Sequence, residues 1–328
     1  MLLAGDIGGT KTTLATYEEN GDPHSPRDKE TYPSSHFASL EEVVEKFLRD
    51  TGRKVDRASF GVAGPVVNGE ARITNLPWHL SEQHLAQNLG LTQVSLLNDL
   101  KAIATGVPQL RPDELHTLNR GEAVRGGTIG IIAPGTGLGE AYLTWDGSKY
   151  YPHSSEGGHT DFAPVDALQN GLLRYLQERF GHVSYERVCS GMGIPNIYSY
   201  LRDSHFAPEP DWLKQDLANA PDPTPIIISV AVEDRARCTL CTATLDTFVA
   251  ILGAESGNLA LKVLATGGIY LGGGIPPRII PALKGDDFLF AFQHKGRFDS
   301  LLRDIPIHVI LNPSIALMGA ACHVTSQT

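Results

Sequence analysis

The sequence predicts a mixed α/β protein of two related lobes, and three observations carry that expectation. The chain has 328 residues, more than one hydrophobic core ordinarily organises. Short apolar runs that stop at glycine alternate with amphipathic segments along most of it. Two stretches about 130 residues apart, LAGDIGGTKTTLATY and IIAPGTGLGEAYLTW, share one layout: apolar strand, Gly/Thr-rich turn, returning strand with alternating side chains. That spacing is too wide for a short solenoid repeat. Two lobes, each offering a glycine turn to a shared cleft, account for it; a chance likeness of two β-hairpins is the alternative.

In the first lobe, Leu2 to Asp6 reads as a strand, Gly8-Gly9 as a turn and Thr12 to Tyr17 as the returning strand. Ser39 with Glu42 matches a capping box; Val43, Val44, Phe47 and Leu48 supply the apolar face of the helix, and Gly52 ends it. Ala58 to Val62 is a buried strand running into Gly64-Pro65. Ser81 to Leu89 is a helix closed by Gly90, and Val94 to Leu97 is a strand with Asn98-Asp99 at its carboxyl end. After the polar stretch Pro108 to Arg125, Thr128 to Ala133 is a strand ending in PGTGLG, and Glu140 to Trp145 returns. Helices are expected over Leu168 to Phe180 and Thr242 to Leu264. Phe206 to Pro225, with five prolines, reads as a surface excursion. Asn312-Pro313 caps a final helix from Ser314 to about Val324.

Composition narrows the function. A formal net charge of −10 disfavours nucleic acid or an anionic membrane as partner, yet leaves anionic ligands open, because backbone amides and Mg²⁺ hold phosphates without lysine or arginine. MLLAGDIGGT has no basic region, long apolar run or cleavage site, and no segment has the roughly 20 apolar residues of a membrane helix. Four cysteines make no disulfide framework, so a cytoplasmic location is expected. Cys238 and Cys241 form a C-x-x-C without a second pair or a nearby histidine, which is read as structural.

Three glycine-rich turns stand out. Gly5 to Thr12, GDIGGTKT, is not a P-loop, since Thr10 stands where a glycine is needed and a strand follows. As a hairpin it brings amides and a hydroxyl near a phosphate chain, with Asp6 placed to hold Mg²⁺ through water; a plain tight turn is the bland alternative. PGTGLG has G-x-G-x-G spacing and leads into a strand, so it is no dinucleotide fingerprint but suits a second phosphate turn. Thr266 to Ile275 breaks into three glycines and suits a base or ribose against bare backbone. Asn98-Asp99 ends a strand where open α/β sheets bind ligands, although an aspartate there also suits a helix cap. Glu156-Gly157-Gly158-His159 and Glu186 offer carboxylates and an imidazole suited to pairs of sugar hydroxyls; a metal site or a structural turn are the other readings of Glu156 and His159.

These residues carry a resemblance. GDIGGTK, GVAGPV, ITNLPW, LLNDL, PGTGLG, EGGH, ERVCSG, GGIYLGGGIPPR and KGRF, in this order and spacing over nearly the whole length, resemble the bacterial glucokinase family of the actin and sugar-kinase superfamily. The resemblance implies two ribonuclease-H-like lobes with mixed sheets around a central cleft: a smaller lobe of 1–108 plus about 301–328, and a larger one of 109–300. It implies a homodimer using ATP and Mg²⁺ to phosphorylate D-glucose. Asp99 is then the base; Asn98, Asp99, Glu156, His159 and Glu186 bind the sugar; Gly5, Asp6, Ile7, Gly8, Gly9, Thr10, Gly135, Thr136 and Gly137 embrace the nucleotide. Lys11 stands where many of these proteins have Asn. Thr160 to Pro164 lacks the cysteines of the zinc-bearing repressor–kinase–open-reading-frame (ROK) branch. A kinase of another hexose or amino sugar, and a sugar sensor without chemistry, are the rival readings. The sensor would need a DNA-binding module, for which no room is expected ahead of a hairpin beginning at residue 5.

Overall fold

Leu2–Ile7 (β1) and Lys11–Tyr17 (β2) form the expected hairpin, paired antiparallel from Leu2↔Tyr17 to Ile7↔Thr12. The structure, a computed structural model, describes residues 1–73 and 76–325; Thr74 and Asn75 of the ITNLPW motif lie outside the described residues. The chain divides into two compact units, one of Met1–Glu114, Ser148–Ser154 and the residues from Asn312 on, the other of Leu115–Gly147 and Ser155–Leu311.

In the first unit β2 also pairs antiparallel with β3 (Asp28–Pro33), and Ser39 caps α1 (Leu40–Thr51) by accepting from the Glu42 amide. β4 (Arg57–Val62) runs parallel to β1. β5 (Val66–Val67), β6 (Glu70–Arg72) and β7 (His79–Ser81) make a small antiparallel sheet. α2 (Glu82–Leu89) leads to β8 (Gln93–Asn98), parallel to β4, and α3 (Asp99–Gly106) follows directly. The main sheet runs β3-β2-β1-β4-β8. The C-terminal helix Ile315–Thr325 packs on α3 through small residues: a Cβ on Gly319 would overlap the Ala102 carbonyl, and one on Gly106 would lie 2.8 Å from the Ile315 carbonyl. Bulk at either position would push the two helices apart.

The second unit opens with β9 (Leu115–Asn119), a strand that the polar stretch concealed, then β10 (Ile129–Pro134) and β11 (Leu138–Trp145), a hairpin registered from Ile129↔Leu143 to Pro134↔Leu138. β12 (Tyr150–Ser155), which up to Ser154 belongs to the first unit, precedes the turn Gly157–His159 in the chain. α4 (Ala167–Phe180), α5 (Gly193–Asp203), α6 (Asp211–Asn219), α7 (Thr224–Glu233) and α8 (Thr239–Val263) follow. β13 (Gly268–Leu271), α9 (Ile280–Leu283), α10 (Asp286–Gln293), α11 (Asp299–Asp304) and β14 (Ile307–Ile310) complete it. β11-β10-β13-β14-β9 lie side by side, with β13 parallel to β10 and β14 parallel to β13. The succession of hairpin, then two parallel strands, is that of β2-β1-β4-β8, so the sequence correspondence extends to topology.

The stretch 206–225 is at the surface, as expected, and it carries helices: Pro210 precedes α6 and Pro225 sits in the first turn of α7, where a missing amide costs little. One expectation changes. Residues 301–311 belong with the second unit, since β14 is hydrogen-bonded between β13 and β9.

Candidate active site

In the first unit the hairpin turn is held from behind. The Gly8 amide donates to the Lys11 carbonyl at 2.9 Å. Buried Ser34 donates its hydroxyl to the Gly8 carbonyl at 2.8 Å and its amide to the Thr10 carbonyl at 3.0 Å. Gly8 and Gly9 are half-buried and Thr10 is exposed, so the turn is rigid and open to solvent. Gly5 is buried in mid-strand, where a Cβ would meet Phe60 at 2.6 Å and Leu14 at 2.9 Å, and the Ile7 side chain is in the core. What these two offer outside the core is backbone.

Asp6, at the end of β1, is partly buried; that burial raises its carboxyl above the ordinary range, while the Lys11 and Lys29 charges draw it down. A lone hard carboxylate fits a Mg²⁺ that keeps its waters and takes other ligands from phosphates. Among the described residues no group of three or more His, Cys, Asp or Glu could hold a metal by itself.

Asn98 and Asp99 divide the strand end between them. Asn98 is the cap of α3, its Oδ1 accepting from the amides of Leu100 (3.0 Å) and Lys101 (3.3 Å) while Nδ2 donates to the Gly64 carbonyl at 3.2 Å. Asp99 is the first helical residue, half-buried, with Oδ1 also accepting from the Leu100 amide at 2.8 Å. The capping duty that the sequence also allows Asp99 is served by Asn98.

In the second unit the turns expected to face sugar and phosphate meet at Leu138. The Gly135 amide donates to the Gly137 carbonyl (2.9 Å), and the Gly191 amide donates to the Gly135 carbonyl (2.8 Å). Gly273, at φ +80°, packs on Pro134, where a Cβ would lie 2.5 Å from the carbonyl oxygen. The third glycine run thus abuts the second. The Leu138 amide donates to Glu186 Oε2 at 3.0 Å, and Gly158 lies so close to the Leu138 carbonyl that a Cβ there would overlap it. Glu156 and His159 are exposed at the ends of that turn, joined by the His159 amide donating to the Glu156 carbonyl at 3.0 Å. The second unit thereby gathers Glu156, His159 and Glu186 beside Gly135, Thr136 and Gly137. The cysteine pair is elsewhere: Cys238 Sγ caps α8 by accepting from the Cys241 amide at 3.4 Å, and both are buried.

Sequence reasoning passed over Ser34, Ser190-Gly191 and Glu140. Ser34 is remote in sequence from the turn it braces. Glu140 reads as the polar phase of a returning strand, yet it is 2% exposed and, among the described residues, its Oε1 has no hydrogen-bond partner. No signal short of the fold marks either residue.

The chain resembles solved structures over its whole length. A glucokinase from an Antarctic psychrotroph is 32% identical, with 99% of this chain and 98% of that one covered at a TM-score of 0.84. A ROK family glucokinase from Streptomyces griseus, solved in complex with glucose and AMPPNP, shares the fold at 18% identity and a TM-score of 0.65, with 100% and 99% covered. Fold and site together define a sugar kinase of the two-lobed class. The protein-family model described as Glucokinase matches residues 3–327. The glucokinase of Nostoc punctiforme is 42% identical over 336 residues, covering 98% of each chain. The chain belongs to the glucokinase family, and it is a hexose kinase. Among the described residues no helix is long and apolar enough to cross a membrane.

Proposed function

We propose that the chain transfers the γ-phosphoryl group of ATP to the 6-hydroxyl of D-glucose, with Asp99 as general base. The observation that carries the reading is the meeting at Leu138: exposed Glu156 and His159 and the Glu186 carboxylate stand beside a glycine turn of phosphate-gripping form. Carboxylates and imidazole hydrogen-bond sugar hydroxyls, and bare glycine backbone admits phosphate oxygens.

Phosphoryl transfer needs positioning and charge stabilisation more than covalent help. Glu156, His159 and Glu186 orient the sugar, with Asn98 adding its amide. Asp99 takes the proton of the 6-hydroxyl as that oxygen attacks phosphorus. The turns Gly8–Thr10 and Gly135–Gly137 present bare backbone to the phosphates, the Gly8 and Gly135 amides being taken by the turns' own hydrogen bonds. Mg²⁺, bound with the nucleotide, neutralises phosphate charge, and Asp6 would hold its waters. The glucose and AMPPNP bound by the Streptomyces griseus protein support these two substrates. Family membership further supports a cytoplasmic homodimer, which sedimentation would check.

A coupled assay with ATP and a panel of glucose, mannose and N-acetylated amino sugars tests the reading. Glucose should show kcat/KM at least ~10-fold above every other sugar, the discrimination expected when a site built on hydrogen bonds loses one. Equal or better use of mannose or an amino sugar overturns the assignment of substrate.

A further inference from the structure

Beneath the turns that carry Glu156, His159 and Glu186 lies a buried polar cluster that the reaction itself does not use. Glu140 on β11 and Glu255 on α8 are 2% and 0% exposed, with their carboxyls within hydrogen-bonding reach of each other. Glu255 is paired with Lys262 Nζ at 3.2 Å and accepts from Asn258 Nδ2 at 2.8 Å. Glu140 has no such cation of its own. Its Oε2 presses on Gly157 so closely that a Cβ there would overlap it. Glu255 reaches the other turn: the Tyr185 hydroxyl is held toward it, and Asn258 Nδ2 also donates to that hydroxyl at 3.0 Å. Tyr185 immediately precedes Glu186. Lys295 closes the cluster by donating to Asn258 Oδ1 at 2.8 Å.

We propose that Glu140 and Glu255 are a positioning pair for the sugar, one proton between them holding the turns Gly157–His159 and Tyr185–Arg187 in register. This rests on the reading that those turns bind the sugar. Two carboxylates brought together in a buried place resist carrying charge at the same time, so near neutrality one stays protonated and donates to the other. The Lys262 ammonium and the Asn258 amide lie on Glu255 rather than on Glu140, which leaves the proton on Glu140. Burial, then the Glu255 charge, pushes the Glu140 carboxyl up to about 8, against a smaller downward pull from Lys262. The remaining titratable neighbours feel the same burial. Burial and the same carboxylates drive the Cys189 thiol well up, burial and Glu255 raise Tyr185, and burial lowers Lys295 while Glu255 opposes it. Loss of the proton puts two like charges under Gly157, and the Glu140 side chain can only relieve them by moving against the turn. Sugar affinity is thereby tied to pH through groups that never touch the sugar.

Calorimetric titration of glucose into the wild type and into Glu140→Gln, from pH 6 to 9.5, tests this. The wild-type Kd should rise at least ~5-fold through pH 8, a change of about 1 kcal/mol, while Glu140→Gln, whose amide donates to Glu255 at every pH, stays flat. The Kd of an unhydrolysable ATP analogue should follow no such limb in either protein. A flat wild-type profile, or the same limb in Glu140→Gln, overturns the proposal. If Glu140→Gln does not fold, Lys262→Met decides, because losing the ammonium must move the wild-type limb to higher pH; an unmoved limb is equally fatal. A wild type that binds no glucose at any pH overturns the reading of the site, and the proposal falls with it. Glucose binding that is intact but pH-independent overturns only the proposal.

Discussion

Asn98 and Asp99 are neighbours at one strand end, and substitution separates their duties. Asp99→Asn keeps shape and an acceptor but removes basicity, and general-base contributions are typically ~10²–10⁴ in rate. The expected outcome is kcat lowered at least ~100-fold, with the calorimetric Kd for glucose changed less than ~10-fold. Folded Asp99→Asn with normal glucose binding and near wild-type turnover would sink the catalytic role. Asn98→Ala should instead cost about 1 kcal/mol of stability through the lost α3 cap. Gly137 makes a second test at this scale. Its Cβ would overlap Glu186 Oε2, the atom that accepts from the Leu138 amide. Because a carboxylate tip can swing aside, Gly137→Ala should fold with little change in Tm, yet raise KM for glucose at least ~5-fold together with KM for ATP. Steady-state kinetics that show an effect on ATP alone would refute coupling of the two half-sites through Leu138.

Helix ends and helix contacts set the next scale. Cys238 serves as the cap of α8, a 25-residue helix that packs against α5, α7 and α10. Serine accepts the Cys241 amide at least as well as a thiol. Cys238→Ser with Cys241→Ser should therefore leave kcat within about threefold, while Cys238→Ala lowers stability by about 1 kcal/mol; a cysteine-dependent loss of activity accompanied by released zinc would contradict this structural role. Close helix approach is less forgiving. Gly319→Val drives a branched side chain into the Ala102 carbonyl, backbone that cannot swing aside. A loss of at least ~3 kcal/mol in denaturant unfolding is expected, and a loss under 1 kcal/mol would mean that the C-terminal helix does not need that contact.

At the scale of the whole molecule the Glu140 proton becomes a term in stability. Its carboxyl takes up a proton more readily folded, near 8, than the ordinary value of 4.5. A raised folded value gives stability that is complete below about 4.5 and is lost as pH rises through 8. Wild type should weaken relative to Glu140→Gln across that window by up to about 1.4 kcal/mol per pH unit, and the difference should level off above 8. Paired thermal unfolding from pH 4.5 to 9 measures it, and parallel profiles would mean that Glu140 is charged in the folded state.

The sequence by itself determined the α/β class, the two hairpins and most helix limits, because these depend on local periodicity, caps and glycine turns. Ser39, Gly52, Gly90 and Asn312 act where a local rule places them. It also marked Glu156, His159, Glu186 and the Gly135–Gly137 turn, since chemistry-bearing residues clustered around glycines are visible in one dimension. Tertiary structure alone decided which conforming residues are core and which are open to solvent. Gly5 and Ile7 match the phosphate motif but are enclosed by β2 and β4, while Ser34 lies outside it and braces the turn. Tertiary structure also hid a short strand, β9, whose only support is its partner β14. Glu140 and Glu255 are 115 residues apart in sequence and share one buried cluster only through the packing of α8 against the sheet that holds β10 and β11. Burial and proximity between distant segments set that chemistry, and no local pattern encodes them.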